Sequence, residues 1–568
     1  MKRGFRLVHS NLARVCGAIG VTALILGACS IAQDSGLENG CPPGTELTCT
    51  GTNAPDGGFT SSGASGTGVG GGDFGGAGGE GGGELDPPMF PDAGDEVLWA
   101  DAGSVPPEED AGGIKPPELP AACAVMDKNP RVMYMSADDS NSMGSPGHVR
   151  ETINVGFEPN PSRIRTYEFL NYYQIAYDAA PYDQLALVPE IQVSPDSPIA
   201  DFQLGVRSYD ALPVRRPMNI TFLVDTSGSM KGPGIERAKA AVEAIASKFV
   251  AGDIVSFLTT TSTVEKVGGH PITGPGDTTI TDILKDLTIG GSSDLNTSLA
   301  KAYQLAGVYK DAQINMMSRV VLISDGGANV GITDTDIISE RSADADKEGI
   351  YLVGIGTGPA LSYNDKLMND VTEAGRGAYV YLDSVDEATK MLANRFEETM
   401  DIAARAVQVE LTLPWYFVVK SDSTEGPIST TAVEPQHLAL KDAMVFLLQT
   451  TACDPSVYSL DDKVRVRVAW KTPYLYSSRV TELELPINAI AGMDKPRVAK
   501  GRAIVAFAEA LKGCGFDAKG KTLCKDETER KSVTKMKLIE ARKLAEKAPA
   551  DAEINEIKGL IDIHPLMQ

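Results

Sequence analysis

The stretch that decides the fold runs from Asn219 to Met230 and reads Asn-Ile-Thr-Phe-Leu-Val-Asp-Thr-Ser-Gly-Ser-Met. Its first half is an apolar run typical of a strand buried on both faces, as in a parallel sheet covered by helices. The run stops at Asp225, and such sheets bind ligands beyond the carboxyl ends of their strands. Hydroxyls follow at Ser227 and Ser229, so one short loop carries three hard oxygen donors. These donors suit Mg²⁺ or Mn²⁺ far better than zinc, whose usual ligands are Cys and His.

Two further segments carry the same kind of chemistry. The glycine-rich loop Gly290–Asp294 has a hydroxyl at Ser293 and leads into a helix whose apolar residues recur at spacings of three and four. Farther along, the apolar run Val320–Ile323 leads through a serine to the carboxylate of Asp325 and a turn glycine. Three oxygen-rich loops therefore occur in order, and two of them directly follow a predicted strand.

In this order, the three segments resemble the metal-ion-dependent adhesion site of the von Willebrand factor type A (VWA) domain. In that family an Asp-x-Ser-x-Ser loop, a threonine from a second loop and an aspartate from a third surround one divalent ion. The resemblance implies that Mg²⁺ (or Mn²⁺ or Ca²⁺) is held by Asp225, Ser227, Ser229, Ser293 and Asp325. Ser293 departs from the family's threonine: it keeps the hydroxyl but loses the methyl group that limits its rotamers. Thr297, one helical turn on, is the alternative donor.

The resemblance covers about residues 217–400 and includes the order of the predicted elements. It implies an α/β fold with a doubly wound, mostly parallel, Rossmann-like sheet. An ordinary nucleotide-binding domain fits poorly, because no Gly-x-Gly-x-x-Gly opens the first helix.

The regions on either side of this core alternate polar and apolar residues, which predicts half-buried strands. Examples are Phe202, Leu204 and Val206 before the core and Val464, Val466 and Val468 after it. Strands from both sides are compatible with one β-sandwich-like domain that the core interrupts. We also predict a helical C-terminal tail with two stripes, one at Met536, Ile539 and the snorkelling Lys543 and the other at Ile554, Ile557 and Ile561. The expected division is 1–28 signal peptide, 29–119 tether, 120–216 N-terminal flank, 217–404 VWA domain, 405–495 β-rich domain and 496–568 helical region.

The N-terminus predicts export and a lipid anchor. Basic residues precede an apolar stretch, Ala18–Leu26, that is too short for an ordinary spanning helix and is typical of a secretory signal. The stretch ends Leu-Gly-Ala-Cys29, which resembles a bacterial lipoprotein lipobox and implies a lipidated Cys29. Ser30 at the next position favours the outer membrane by that family's sorting preference. A cleaved signal with an incidental cysteine is the alternative.

Residues 29–119 are rich in Gly, Ser, Pro and Asp and cannot bury enough apolar surface to order themselves, so we predict a disordered tether. Six cysteines remain in the mature chain besides Cys29, and an even number outside the cytosol suggests disulfides. Pairs Cys41–Cys49 and Cys514–Cys524 would close short loops and leave Cys123 for Cys453, although the sequence does not exclude other pairings.

The net charge is −24, from 52 basic and 76 acidic residues, which argues against nucleic acid as a partner. Two motifs compete with the VWA interpretation. Gly515–Thr522 matches the P-loop pattern, but an apparent helix rather than a strand precedes it, so we expect no nucleotide. Asp138–Ser142 repeats the Asp-x-Ser-x-Ser spacing, but too few residues separate it from Asp225 for a second domain, so we interpret it as a turn. The acidic residues between 334 and 346 lack the glycine and distal Glu of an EF-hand.

No catalytic constellation is present, since Gly-x-Ser-x-Gly and His-Glu-x-x-His are both missing and the histidines are scattered. The sequence therefore predicts a non-enzymatic, membrane-anchored protein of the bacterial envelope. Its VWA metal site would hold an Asp or Glu of a protein ligand, in adhesion or envelope assembly. The alternatives are a structural envelope lipoprotein with a stabilising metal site and a metal-dependent hydrolase.

Overall fold

The computed structural model describes residues 121–568 apart from 195–196, 211–213, 262–263, 311, 313–315, 328–348, 427, 474 and 518. The signal peptide, the lipidated Cys29, the tether and the Cys41–Cys49 pair lie outside the described residues and stay predictions. The acidic residues between 334 and 346 also lie outside them.

The chain first forms a flanking segment. Its elements are α1 (Ala121–Ala124), β1 (Arg131–Met135), α2 (Gly144–Asn154), α3 (Thr166–Tyr172), β2 (Ala186–Ser194) and β3 (Ser197–Arg207).

A central α/β unit follows. Its elements are β4 (Met218–Val224), α4 (Pro233–Ala246), β5 (Ile254–Thr259), β6 (Val264–Pro271), α5 (Thr279–Lys285), α6 (Leu295–Tyr309), β7 (Met317–Ser324), β8 (Tyr351–Gly356), α7 (Asp365–Gly375), β9 (Arg376–Tyr381), α8 (Val385–Ala388) and α9 (Phe396–Met400).

The sheet of this unit has the strand order β6–β5–β4–β7–β8–β9. All neighbours are parallel except β6, which pairs antiparallel with β5. Phe222 shares an apolar core with Val242 of α4 on one face, and Leu223 shares another with Leu299 of α6 on the opposite face. Helices therefore cover both faces, and every residue of β4 is buried. The predicted doubly wound α/β fold is confirmed.

The chain then adds strands and short helices. They are β10 (Ile402–Leu413), β11 (Phe417–Asp422), β12 (Gln436–Ala439), β13 (Ala443–Ala452), β14 (Lys463–Lys471), β15 (Ser478–Pro486), α10 (Ile487–Ile490) and β16 (Ala491–Gly492).

The strands before and after the central unit form two sheets that share one core. One sheet has the order β1–β10–β14–β15, with β12 also paired to β10, and the other has the order β11–β13–β3–β2–β16. Val409 and Val466 of the first sheet and Leu204 and Phe446 of the second belong to the same buried cluster. The predicted sandwich-like domain is confirmed, and the central unit is inserted between its strands.

Three helices end the chain: α11 (Pro496–Leu511), α12 (Glu527–Lys547) and α13 (Ala552–Ile563). Ile554, Ile557 and Ile561 of α13 are buried as predicted. The stripe predicted on α12 is wrong, because Met536 is 62% exposed and Ile539 is 41% exposed. The buried face of α12 instead carries Thr534, Leu538, Ala541 and Ala545. Small side chains allow neighbouring helices to approach closely, so the largest apolar residues need not face the core.

Candidate metal centre

Asp225 directly follows β4, and only 1% of its surface is exposed. Its Oδ1 accepts hydrogen bonds from the backbone N of Ser227 and from Thr260 Oγ1, both at 2.9 Å. Its Oδ2 accepts a hydrogen bond from Ser324 Oγ at 2.7 Å. Thr260 follows β5 and Ser324 ends β7, so groups at the ends of the two strands beside β4 fix the orientation of this carboxylate.

The hydroxyl oxygens of Ser227 and Ser229 are 3.0 Å apart. Two oxygens that occupy neighbouring corners of an octahedron, each about 2.1 Å from Mg²⁺, are separated by about this distance. Ser227 is buried whereas Ser229 is exposed, so the pair extends from the interior to the surface. The first loop thus presents two oxygens at a spacing suited to one divalent ion.

Ser293 lies in the second loop and is 1% exposed. Its Oγ is buried and has no hydrogen-bond partner among the described residues. Backbone hydrogen bonds join the two loops, from Gly290 N to Thr226 O at 2.9 Å and from Gly228 N to Gly291 O at 3.2 Å. A buried hydroxyl without a partner is costly, so this oxygen is suited to a ligand that the protein itself does not supply.

Thr297, the alternative donor, lies in the first turn of α6 and takes part in the cap of that helix. Asp294 is the N-cap of α6 and accepts a hydrogen bond from the backbone N of Thr297 at 3.1 Å. Hydrogen bonds from the Thr297 side chain and backbone lower the pKa of Asp294. The Thr297 hydroxyl is therefore already engaged, whereas that of Ser293 is not.

Asp325 follows β7 and shares a small space with Ser229. Its Oδ1 accepts a hydrogen bond from Gly327 N at 2.8 Å. A Cβ placed on Gly327 would lie 2.7 Å from Asp325 Oδ1 and 3.0 Å from Ser229 Oγ. Gly326 has a φ of +72°, a conformation that glycine adopts without strain, and it turns the chain away from the strand. Glycine at 327 leaves open a space that both oxygens face.

The residues present fit a hard divalent ion. The set contains two carboxylates and three hydroxyls, which are all oxygen donors of the kind that Mg²⁺ prefers. Within the described part of the chain, no three His, Cys, Asp or Glu side chains form a metal-binding group. The fit therefore depends on the hydroxyls, above all on the unpaired Ser293 Oγ and the open space beside Gly327.

Sequence reasoning missed three residues of this site: Thr260, Ser324 and Gly327. Thr260 belongs to a run of three threonines at the end of β5, and Ser324 immediately precedes Asp325. The sequence did carry a signal for Thr260 and Ser324. Both are hydroxyl residues at the ends of predicted strands, and the ends of neighbouring parallel strands lie at the same edge of the sheet as Asp225.

The repeated motif Asp138–Ser142 is a turn that fastens other elements, in agreement with its interpretation as a turn. Asp139 Oδ1 accepts a hydrogen bond from the backbone N of His437 at 2.5 Å, and Ser140 Oγ accepts one from the backbone N of Ala439 at 2.9 Å. Burial raises the pKa of Asp139 to about 7. The side chains of this turn are thus used to attach β12.

The P-loop-like segment Gly515–Thr522 follows helix α11 rather than a strand. A disulfide between Cys514 and Cys524 closes it. The next helix, α12, begins only at Glu527. A phosphate-binding loop requires a strand before it and a helix directly after it, so the geometry differs from that of a P-loop.

Two of the predicted disulfides are present: Cys123–Cys453 joins residues 330 positions apart, and Cys514–Cys524 joins residues 10 positions apart. Among the described residues, no helix has the length and apolar character needed to cross a membrane.

Comparison with known proteins identifies the family of the central unit. The family model of the von Willebrand factor type A domain matches residues 219–394, which span β4 to the end of the helical region after β9. Residues 219–394 of the chain therefore form a VWA domain.

Its relatives include "Uncharacterized protein YfbK" of Escherichia coli (strain K12), 23% identical over 413 residues, which are 66% of this chain and 70% of the relative. Human "Inter-alpha-trypsin inhibitor heavy chain H3" is 24% identical over 199 residues, which are 34% of this chain but only 22% of that protein. Among solved structures, "von Willebrand factor type A from Catenulispora acidiphila" is 15% identical with a TM-score of 0.39, covering 64% of this chain and 83% of that one.

Proposed function

We propose that this chain is an envelope binding protein whose VWA domain uses a divalent ion to hold an acidic residue of a protein partner, in adhesion or envelope assembly. VWA domains commonly mediate protein interactions, which is the general class of function that the family supports. The proposal is one of binding without catalysis.

The observation that carries the proposal is the buried, unpaired Oγ of Ser293 in a loop bonded to the Asp225 loop. Asp225, Ser227, Ser229, Ser293 and Asp325 are the residues that would hold the ion. A bound Mg²⁺ would supply an exchangeable position that a carboxylate can occupy.

Different residues of the site have different roles in binding. Thr260 and Ser324 hold Asp225 in place, so its orientation does not depend on the ion. Ser229 lies at the exposed side of the site, where a partner would approach. Gly327 leaves the space between Ser229 and Asp325 open.

Ser293→Ala is expected to weaken Mg²⁺ binding, because it removes an oxygen donor that makes no other hydrogen bond. The expected loss is about 1 to 2 kcal/mol, on the order of tenfold in affinity. Isothermal titration calorimetry measures it, with Thr297→Ala in the first turn of α6 as the matched control. If Thr297→Ala loses binding while Ser293→Ala does not, the hydroxyl donor is assigned to the wrong residue.

Ser293→Thr restores the family's residue and is the second variant in this series. The added methyl group restricts the rotamers of the hydroxyl, so binding is expected to tighten slightly, by no more than about 1 kcal/mol. A lower melting temperature without metal would show that the methyl group clashes in this loop.

The existence of a metal-dependent protein partner is tested by immobilising the protein and capturing proteins from detergent-solubilised envelope. A protein that is retained in Mg²⁺ and released by a chelator supports the proposal, provided that the Asp325→Ala variant does not retain it. Retention that is insensitive to the chelator favours the alternative of a structural lipoprotein. Turnover of a substrate that Asp225→Ala abolishes would support the hydrolase alternative.

We also propose that lipidated Cys29 anchors the chain in the bacterial envelope, at the outer membrane. The support is the lipobox-like sequence before Cys29 and the serine after it. The negative net charge supports a protein partner rather than nucleic acid, and no nucleotide is proposed.

Cys29→Ser is expected to move the protein from the membrane pellet to the soluble fraction after cell fractionation, because multiple acyl chains anchor stably and none would be attached. Cys16→Ser, within the predicted signal peptide, is the control and should leave the protein in the pellet. A Cys29→Ser protein that still sediments with membranes would require another anchor.

A further inference from the structure

The loop formed by residues 357–364, which follows β8, packs directly behind Asp325. Thr357 N donates a hydrogen bond to Ser324 O at 3.1 Å, and Asn364 N donates one to Asp325 O at 3.2 Å. A Cβ placed on Gly358 would lie 2.5 Å from the Cβ of Asp325. The position of this loop therefore determines where the Asp325 backbone and side chain lie.

Side chains contact two carbonyls of this loop, those of Gly358 and Ala360. Gly358 O accepts a hydrogen bond from Arg237 Nη1 at 3.2 Å, and Tyr381 Oη lies 2.6 Å from it. Ala360 O accepts one from His148 Nε2 at 3.0 Å. Burial lowers the pKa of His148, which favours the neutral form of the ring. The loop is held by specific side chains that substitution can remove one at a time.

Helix α2, which precedes the VWA domain, organises these side chains. His148 is itself on α2, and so is Glu151. Glu151 Oε1 accepts a hydrogen bond from Arg237 Nη2 at 2.8 Å, and Glu151 also accepts one from Tyr381 Oη. Glu151 therefore orients both side chains that contact Gly358 O.

Helix α2 is itself fixed against the central unit. A Cβ placed on Gly147 would lie 2.6 Å from Tyr381 O, which shows how closely α2 approaches β9. The helix thus has little freedom to move without moving the groups that hold the 357–364 loop.

We propose that His148 and Glu151 are positioning residues for the metal centre: through the 357–364 loop they fix Asp325, so the segment before the VWA domain sets the affinity of the site. This inference rests on the proposed metal-dependent function. It goes beyond that function because it couples the site to residues outside the VWA domain, none of which would touch the ion.

The coupling is reciprocal. If α2 favours the arrangement of Asp325 that binds metal, then bound metal must favour the packing of α2 by the same factor. Mg²⁺ is therefore expected to slow hydrogen exchange of the α2 amides, although no residue of α2 reaches the ion. A purely structural role for Glu151 would not produce this effect.

The test measures Mg²⁺ affinity by calorimetry and α2 hydrogen exchange by mass spectrometry on the full chain. Glu151→Gln is expected to lower the affinity on the order of tenfold, within the range usual for coupled sites, and to reduce the protection that Mg²⁺ gives to α2. Glu158→Gln is the matched control. Glu158 follows α2 and pairs with Arg530 of α12 at 2.5 Å, away from the 357–364 loop, so the affinity should stay unchanged.

A second pair of variants separates positioning from loss of folding. His148→Gln keeps an N–H donor for Ala360 O and should bind Mg²⁺ more tightly than His148→Ala. Parental affinity in both Glu151→Gln and His148→Ala would overturn this inference while leaving the metal centre intact. A parent chain that does not bind Mg²⁺, or an Asp325→Ala variant that binds like the parent, would overturn the proposed function and this inference with it.

Discussion

Asp325→Ala is expected to lower the Mg²⁺ affinity on the order of 100-fold or more, because it removes one of only two carboxylates from the site. Loss of one partner from a buried charged interaction costs about 3 kcal/mol or more, which corresponds to this factor. Substitution of Asp325 tests the metal centre more specifically than substitution of Asp225. The Asp225 carboxylate accepts hydrogen bonds from Ser227, Thr260 and Ser324, so its loss would also disturb three strand ends.

Calorimetry measures the affinity, and thermal melting without metal shows whether the variant is folded. Asp370→Ala is the matched control, because this aspartate lies on the nearby helix α7 and forms an exposed pair with Lys366. It should bind Mg²⁺ like the parent. If Asp325→Ala also binds like the parent, the loops at the strand ends are not the metal centre.

The central sheet could be predicted because the local sequence of its strands is enough to identify them. β4 and β7 are continuous apolar runs, and each is followed at once by a carboxylate, Asp225 and Asp325. Local patterns of this kind identify which strands are buried and where they end.

The hydrogen bonds that orient the site residues could not be predicted from the sequence in the same way. Thr260 and Ser324 donate to Asp225 from 35 and 99 residues away along the chain. Which hydroxyls reach a carboxylate depends on the order of strands in the sheet, and single-sequence patterns do not give that order. The same limit applies to Glu151, which lies 86 residues from Arg237 and outside the recognised domain.

The strand pairing in the sandwich could not be predicted from the sequence either. Alternation predicted strands on both sides of the VWA domain, but it did not predict that β3 pairs with β13 or that β1 pairs with β10. Alternation records only that one face of each strand is buried. Pairing across the inserted domain is decided by the shared core, in which residues of both segments meet.

Removing the Cys123–Cys453 disulfide is expected to destabilise the chain more than removing Cys514–Cys524. The two bonds close loops with sequence separations of 330 and 10 residues. A crosslink stabilises mainly by restricting the unfolded chain, and that restriction grows with the logarithm of loop length. The paired substitutions Cys123→Ser with Cys453→Ser should lower the free energy of unfolding by about 4 kcal/mol, and Cys514→Ser with Cys524→Ser by about 2 kcal/mol.

Urea denaturation of the two double variants and the parent measures this difference, and replacing both cysteines of a pair avoids leaving a free thiol. The long-range bond matters because it ties the beginning of the N-terminal flank to the residue directly after β13. Equal losses of unfolding free energy in the two double variants would mean that the long crosslink does not stabilise the protein by restricting the unfolded chain. The Cys123–Cys453 bond would then act only locally, by holding α1 close to the end of β13.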